Sequence, residues 1–233
     1  MPVTHIERCR DVQVRAKRTL ARLAPTITAD STERSIAQEA IRLLLQENLT
    51  ATWYYTCPAL VLLGSRSCLS ISGKDYEPAD EPVGQTNLVT VDLSPLDGSA
   101  LGDCARSFCI ESGTAVSAPQ SADFRAGIEM EQRLHDAVKA FISPQTGMHE
   151  LWAFANEMIC SSGFENLDFM GNVGHNITLD RIARQFIEKE NHCRLADAGM
   201  FTFEPHIRQA GGKWGFKHEN IYLFGADARI EEL

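Results

Sequence analysis

Residues 87–110 read NLVTVDLSPLDGSALGDCARSFCI. The run Leu88 to Leu93 alternates and is rich in Val and Thr, which predicts a strand. Pro95 to Gly98 supplies turn residues, and Asp103 to Ile110 predicts the returning strand of a hairpin. Asp92 and Asp103 stand eleven residues apart. Across a hairpin that step brings two carboxylates face to face on adjacent strands. Asp92 also lies between Val91 and Leu93, where burying an unpaired charge costs several kcal/mol. A counter-charge is expected beside this hairpin.

Working outward, Val12 to Leu23 predicts a basic amphipathic helix ended by Ala24-Pro25. Thr32 suits an N-cap for a second helix through Gln46, in which Ile36, Ala40, Ile41, Leu44 and Leu45 repeat near the helical period. Thr52 to Leu63 reads as a strand, and residues 72–86 as the most loop-like stretch. Ser121–Ile142 and His149–Cys160 predict two more helices. Phe169–Ile177 is extended and Gly-containing, while Leu179–Glu190 is ambiguous. Met200–Ile207 and Lys217–Leu223 predict strands joined by a Gln209–Gly215 turn. With no repeat or separating linker, residues 1–233 read as one α+β domain.

Composition narrows the function. The chain has 22 Lys+Arg against 31 Asp+Glu, a formal charge of −9, which opposes binding to a phosphate backbone. Its 7 cysteines are odd in number and lack CxxC spacing, so neither a disulfide framework nor a structural zinc site is expected. No apolar run approaches the roughly 20 residues of a membrane helix, and the charged N-terminus is no secretory signal. A reduced, cytoplasmic location is the expectation.

Three further groups join the two aspartates: His175 in GNVGHNI, Glu204 in FTFEPHI and Glu219 in KHENIYLF. Four carboxylates and one imidazole form a hard anionic nest that would repel itself in a low-dielectric cleft. Two divalent cations a few Å apart would relieve that repulsion. For each acid alone, a solvated hairpin position or surface salt bridge is the plainer reading. Asp97, Asp80 and Glu81 keep it.

The order Asp, eleven residues, Asp, then Gly-His, then Phe-Glu-Pro, then a strand Glu resembles the pita-bread metallopeptidases. These include methionine aminopeptidase, Xaa-Pro aminopeptidase, Xaa-Pro dipeptidase and creatinase-like relatives. The resemblance covers residues 10–225, with GDCARSF and FTFEPHI its most telling pieces. It implies a curved antiparallel sheet with outer helices and metals in the concavity, and a catalytic domain without a separate N-terminal domain. It implies that Asp92 chelates one ion, that Asp103 and Glu219 bridge two, and that His175 and Glu204 hold the other. The ions would be Mn, Co, Fe or Zn. Glu204 would act as general base for a bridging water attacking a peptide or amide carbonyl.

Two family histidines are missing. The window before Asp92 holds SGKDYEP, so Lys74 or Gly73 stands where an imidazole is expected. Seven residues after His175 stands Ile182. His206, two residues beyond Glu204, is the candidate substitute, since strand alternation puts both on one face. Lys74 is the candidate anchor for a substrate carboxylate. His218 and Cys104 read as structural residues, and His135 and His149, in helical patterns, as surface residues. Trp53-Tyr54-Tyr55 reads as core packing, and Trp214 as a guess for a cover over the cleft. The function expected is an aminopeptidase or Xaa-Pro peptidase type of hydrolase acting on a peptide or small amide. The alternatives are a lyase, oxygenase or amidinohydrolase on the same ligands, or a catalytically silent binding module. Oligomeric state stays open, a homodimer among the options.

Overall fold

The computed structural model describes residues 4–180 and 182–233. Helix α1 (His5–Leu23) starts at Thr4, whose side chain accepts from the Glu7 N–H while Glu7 reaches back to the Thr4 N–H. Helix α2 (Glu33–Gln46) starts at Thr32, which exchanges the same pair of bonds with Ser35. Each cap contributes on the order of 1 kcal/mol. Strands β1 (Ala51–Thr52) and β2 (Ala59–Leu63) follow. The single strand expected over residues 52–63 is thus divided. Cys57 N–H bonds the Tyr54 carbonyl in a turn, with Tyr55 and Thr56 at φ 47° and 70°.

β3 (Thr86–Leu93), β4 (Pro95–Asp97), β5 (Ala100–Leu101) and β6 (Cys104–Glu111) form the predicted hairpin in elaborated form. Its tip is a smaller hairpin, β4 on β5, that also pairs with β1. In the main ladder Asp92 faces Ala105 and Leu93 faces Cys104. Asp103 is therefore diagonal to Asp92 on the same face, not directly opposite. β7 (Thr114–Val116) completes a four-stranded sheet in the order β2-β3-β6-β7.

Helices α3 (Ala122–Phe141) and α4 (Met148–Ser161) lead into β8 (Phe164–Asn166). The last third carries β9 (Phe201–Phe203), β10 (His206–Gln209), β11 (Gly215–Lys217), β12 (Asn220–Phe224) and β13 (Ile230–Glu232). Both strands expected here are broken, at Glu204-Pro205 and at His218-Glu219. The first half of one strand pairs with the second half of the other: β9 with β12, and β10 with β11. Pro205 has no N–H for a ladder, which suits that switch point. The breaks set the two glutamates at the bend of a curved sheet.

Two cores lie behind the strands. One joins α1 and α2 to Val61, Val89, Val91 and Leu93; the other joins α3 and α4 to Phe201, Phe203, Ile207 and Phe216. Gly127 of α3 lies under the Phe216 ring, where a Cβ would come within 2.2 Å. His135 belongs to this second core at 2% exposure, not to the surface as its helical setting suggested. One of its nitrogens bonds the Tyr222 hydroxyl (2.7 Å) and the other the His218 carbonyl (3.0 Å). Trp214 also packs inward, 5.3 Å from Phe124, and does not cover the cleft. Cys104 is buried in the first core, as expected, with its thiol pushed up to about 12 by burial. No helix among the described residues is long and apolar enough to cross a membrane.

Candidate metal centre

Alternation on β3 turns Val89, Val91 and Leu93 to the helices and Thr90 and Asp92 to the concave side. There they line a cavity of about 450 Å³, together with Asp103, His175, Glu204 and Glu219. The volume is within the range of small-ligand sites. All five side chains singled out by the sequence therefore meet in one place.

Each is held by its main chain. Gln13 of α1 clamps Asp103 from both sides, donating to its carbonyl (2.7 Å) and accepting from its N–H (2.8 Å). Glu204 N–H bonds the Val173 carbonyl at 2.9 Å, and Glu219 N–H the Ala105 carbonyl at 3.0 Å. Arg106 donates to the Glu219 carbonyl at 2.7 Å. His175 N–H bonds the Thr202 hydroxyl at 3.0 Å. Its approach requires the preceding glycine, because a Cβ on Gly174 would stand 2.1 Å from the Thr202 carbonyl oxygen. His175 Nδ1 lies 2.8 Å from the Asn176 carbonyl, so Nδ1 carries the proton and Nε2 presents a lone pair inward. That nitrogen is 3.5 Å from Asp103 Oδ2 and 3.5 Å from Glu204 Oε1.

The donors divide into two sets. Ligand atoms of Asp103, His175 and Glu219 lie within 4.8 Å of one another. Asp103 Oδ2 and both Glu219 carboxylate oxygens are buried and accept no hydrogen bond. Such groups are costly without a counter-charge. Burial, then their charged neighbours, pushes both carboxyls well above the ordinary carboxylate range. Oxygen donors with one imidazole suit Mn, Fe, Co or Zn, and a divalent cation fits this corner.

The second set is already paired. Lys217 Nζ lies 2.6 Å from Asp92 Oδ2, 3.1 Å from Glu204 Oε2 and 4.0 Å from Glu219 Oε2. Burial pushes the Glu204 carboxyl up, but the Lys217 ammonium, helped by the hydrogen bonds Glu204 accepts, outweighs it and holds the group below its ordinary value. Thr202 donates to its other oxygen at 3.2 Å.

The remaining candidates fall differently. His206 lines the cavity, as alternation suggested, with Nε2 2.6 Å from the Ser67 carbonyl; burial lowers its pKa to about 4. Lys74 does not line the cavity. The Asp75 N–H bonds the Ser72 carbonyl, and this turn carries Lys74 out to solvent. Ile182 is 96% exposed and also stands outside. His218 packs against His135 with ring centroids 4.3 Å apart, away from the carboxylates.

Several lining groups escaped the sequence reading. Trp53, Tyr54 and Tyr55 line the cavity wall instead of filling a core. Trp53 donates to the Gly102 carbonyl (2.9 Å), and its ring lies 5.8 Å from that of His175. Arg184 stacks on Trp53, its guanidinium carbon 4.7 Å from the ring centroid, in a stretch that read as ambiguous. Lys217 had a usable signal: alternation places it on the face of Glu219, by the rule that paired His206 with Glu204.

A model of "Metallopeptidase family M24" matches residues 7–232. The chain belongs to this family. Its M24 fold, the pita-bread fold, is shared with solved structures. They include an X-Pro aminopeptidase from Thermotoga maritima MSB8 (19% identity, TM-score 0.80), covering 98% of this chain and 60% of that one. A prolidase from Pyrococcus furiosus matches at 20% identity and TM-score 0.79, over 98% and 63% of the two chains. An Xaa-Pro dipeptidase from Bacillus anthracis matches at 17% and 0.80, over 98% and 59%. This M24 chain thus spans about 60% of the length of those structures. A comparison with curated protein sequences finds no match.

Proposed function

We propose that the chain is a divalent-metal-dependent hydrolase of the aminopeptidase or Xaa-Pro peptidase type, acting on a small peptide or amide. The observation that carries this is the convergence of Asp103, His175 and Glu219, with three buried carboxylate oxygens left without hydrogen bonds, inside a cavity of about 450 Å³. A divalent ion bound there would polarise a carbonyl and acidify a water.

The chain's own groups do the rest. Glu204, held ionised by Lys217, takes the proton of the attacking water and returns it to the departing amine. Thr202 and Lys217 fix the orientation of that carboxylate. The acidic cluster suits a substrate's free amino group, and the aromatic wall of Trp53 and Tyr54 suits its side chain. Arg184, whose Nε is buried without a hydrogen-bond partner, takes over from Lys74 as the anchor for a substrate carboxylate. With its Nε2–H given to Ser67, His206 offers only an acceptor nitrogen. Its part is to line the site beside Glu204, not to donate to a developing oxyanion. The two-ion arrangement implied by the family resemblance would require a second ion on Asp92, Asp103 and Glu219, and Lys217 already pairs with Asp92. We place the reaction in the cytoplasm.

A peptide-library digest read by mass spectrometry, with Mn, Co, Fe and Zn supplied in turn, tests the reading. Metal-dependent removal of N-terminal residues or splitting of dipeptides is expected. A protein that binds metal but cleaves no peptide under any of the four would turn the reading toward a small-metabolite reaction on the same ligands.

A further inference from the structure

The family resemblance implies two cation positions in this cleft, and we propose that the chain fills one with its own Lys217 ammonium and takes a single divalent ion at the other, on Asp103, His175 and Glu219. The inference rests on the metal-dependent reading above and gives it a stoichiometry.

Lys217 is built into the site from below. Ser107 of β6 accepts from the Lys217 N–H (2.8 Å) and donates to its carbonyl (3.1 Å). On the other side its backbone pairs with His206 of β10. The root of the side chain is thereby fixed on both flanks at the cleft floor. Its head is 20% exposed and forms ion pairs with Asp92, Glu204 and Glu219, and with no other acid among the described residues. At 2.6 Å from Asp92 it takes up the carboxylate that would otherwise be the terminal ligand of the other ion, and at 3.1 Å it also pairs with Glu204. Asp103 Oδ2 and both Glu219 oxygens accept no hydrogen bond, the ammonium standing 4.0 Å from the nearer Glu219 oxygen, and they lie beside the His175 Nε2 lone pair.

Charge favours the same division. Asp92, Asp103, Glu204 and Glu219 would be balanced by two dications alone, leaving the ammonium to repel both across a few Å. One dication together with the ammonium leaves a single negative charge, which suits a substrate's protonated amine. A Lys head is also a compact point charge on an unbranched stem, able to occupy a site sized for an ion.

The test is metal stoichiometry on the full chain. Chelator-stripped protein is titrated with Mn²⁺, and separately with Zn²⁺, by calorimetry; bound metal is counted by elemental analysis, and the Mn²⁺ form is read by electron paramagnetic resonance. Wild type is expected to bind one ion per chain, with an uncoupled Mn²⁺ spectrum. Lys217→Met, which keeps length and removes charge, is expected to bind two and to show exchange coupling. Lys217→Arg, which keeps the charge, is expected to stay at one. Two ions per wild-type chain would overturn the inference and leave the metal-dependent reading standing. No bound ion in wild type would overturn both. A folded Lys217→Met that still binds one ion would remove Lys217 as the stand-in.

Discussion

Two corners of one cleft, a few Å apart, are built from the same residue types and come out opposite. Asp92 and Glu204 share an ammonium, and Thr202 gives Glu204 a further hydrogen bond. Asp103 and Glu219 are more deeply buried, at 3% and 1% exposure, and hold oxygens with no hydrogen-bond partner. A carboxylate beside a fixed cation stays ionised, whereas one facing other carboxylates in a dry site is pushed toward its protonated form. The difference teaches that the paired corner is ready to act as a base and the unpaired corner is ready to receive an ion.

Glu204→Gln should produce the largest effect, separating the corners by activity. Turnover on the peptide found by the library digest should fall by roughly 10²–10⁴-fold, with the metal titration largely unchanged. Activity within a few fold of wild type would place the base elsewhere. His175→Ala attacks the other corner. It should weaken metal affinity by about 100-fold or more, since it removes a ligand and not merely a group orienting one; calorimetry reads this directly.

Stability and pH sharpen the contrast further. Asp103→Asn should raise the melting temperature of the metal-free protein by a few degrees, because it removes a charge from among Asp92 and Glu204. It should also abolish the stabilisation that added Mn²⁺ gives wild type. Because the Asp103 and Glu219 carboxyls are held above their ordinary range, the ion must displace protons from them. Affinity should therefore rise with pH, and titration in buffers of different ionisation enthalpy should show proton release. Equal affinity at pH 6 and pH 8 would contradict the unpaired state of that corner.

Gln13→Leu leaves both main-chain groups of Asp103 unclamped. It should cost about 1–3 kcal/mol in urea unfolding and weaken metal binding by around tenfold, with little effect on Glu204. A smaller effect on the site, but a clear one on the fold, comes from His135. Burial lowers its pKa to about 4, so the folded state favours its neutral form. Its contribution is fully present above the ordinary value near 6.5 and is lost as pH falls through about 4. Its share of the drop in unfolding free energy over that window should be on the order of 3 kcal/mol. His135→Gln should remove that share of the slope, leaving the share of His206, without moving the metal titration.

Much of the site was readable in order along the chain. Asp92, Asp103, His175, Glu204 and Glu219 could be picked out because four acids and a histidine in strand-like apolar contexts demand a counter-charge, and their order resembles a known family. The helices were equally legible, since Thr32 and the apolar repeat of α2 are local signals. The broken strands were not. Met200–Ile207 read as one strand through Pro205, and only pairing partners show that β9 and β10 belong to different sheets. His135 and Trp214 were misplaced for the same kind of reason: burial depends on what packs against a helix or turn.

By itself, then, the chain determined which residues carry charge into an apolar setting and where its helices begin, because these follow from nearest neighbours and periodicity. Tertiary structure alone decided that the five donors split into a paired and an unpaired set. Lys217 reaches Asp92 across 125 positions, and no local rule can say which of several carboxylates a flexible ammonium will meet once strands from both halves curve around one hollow.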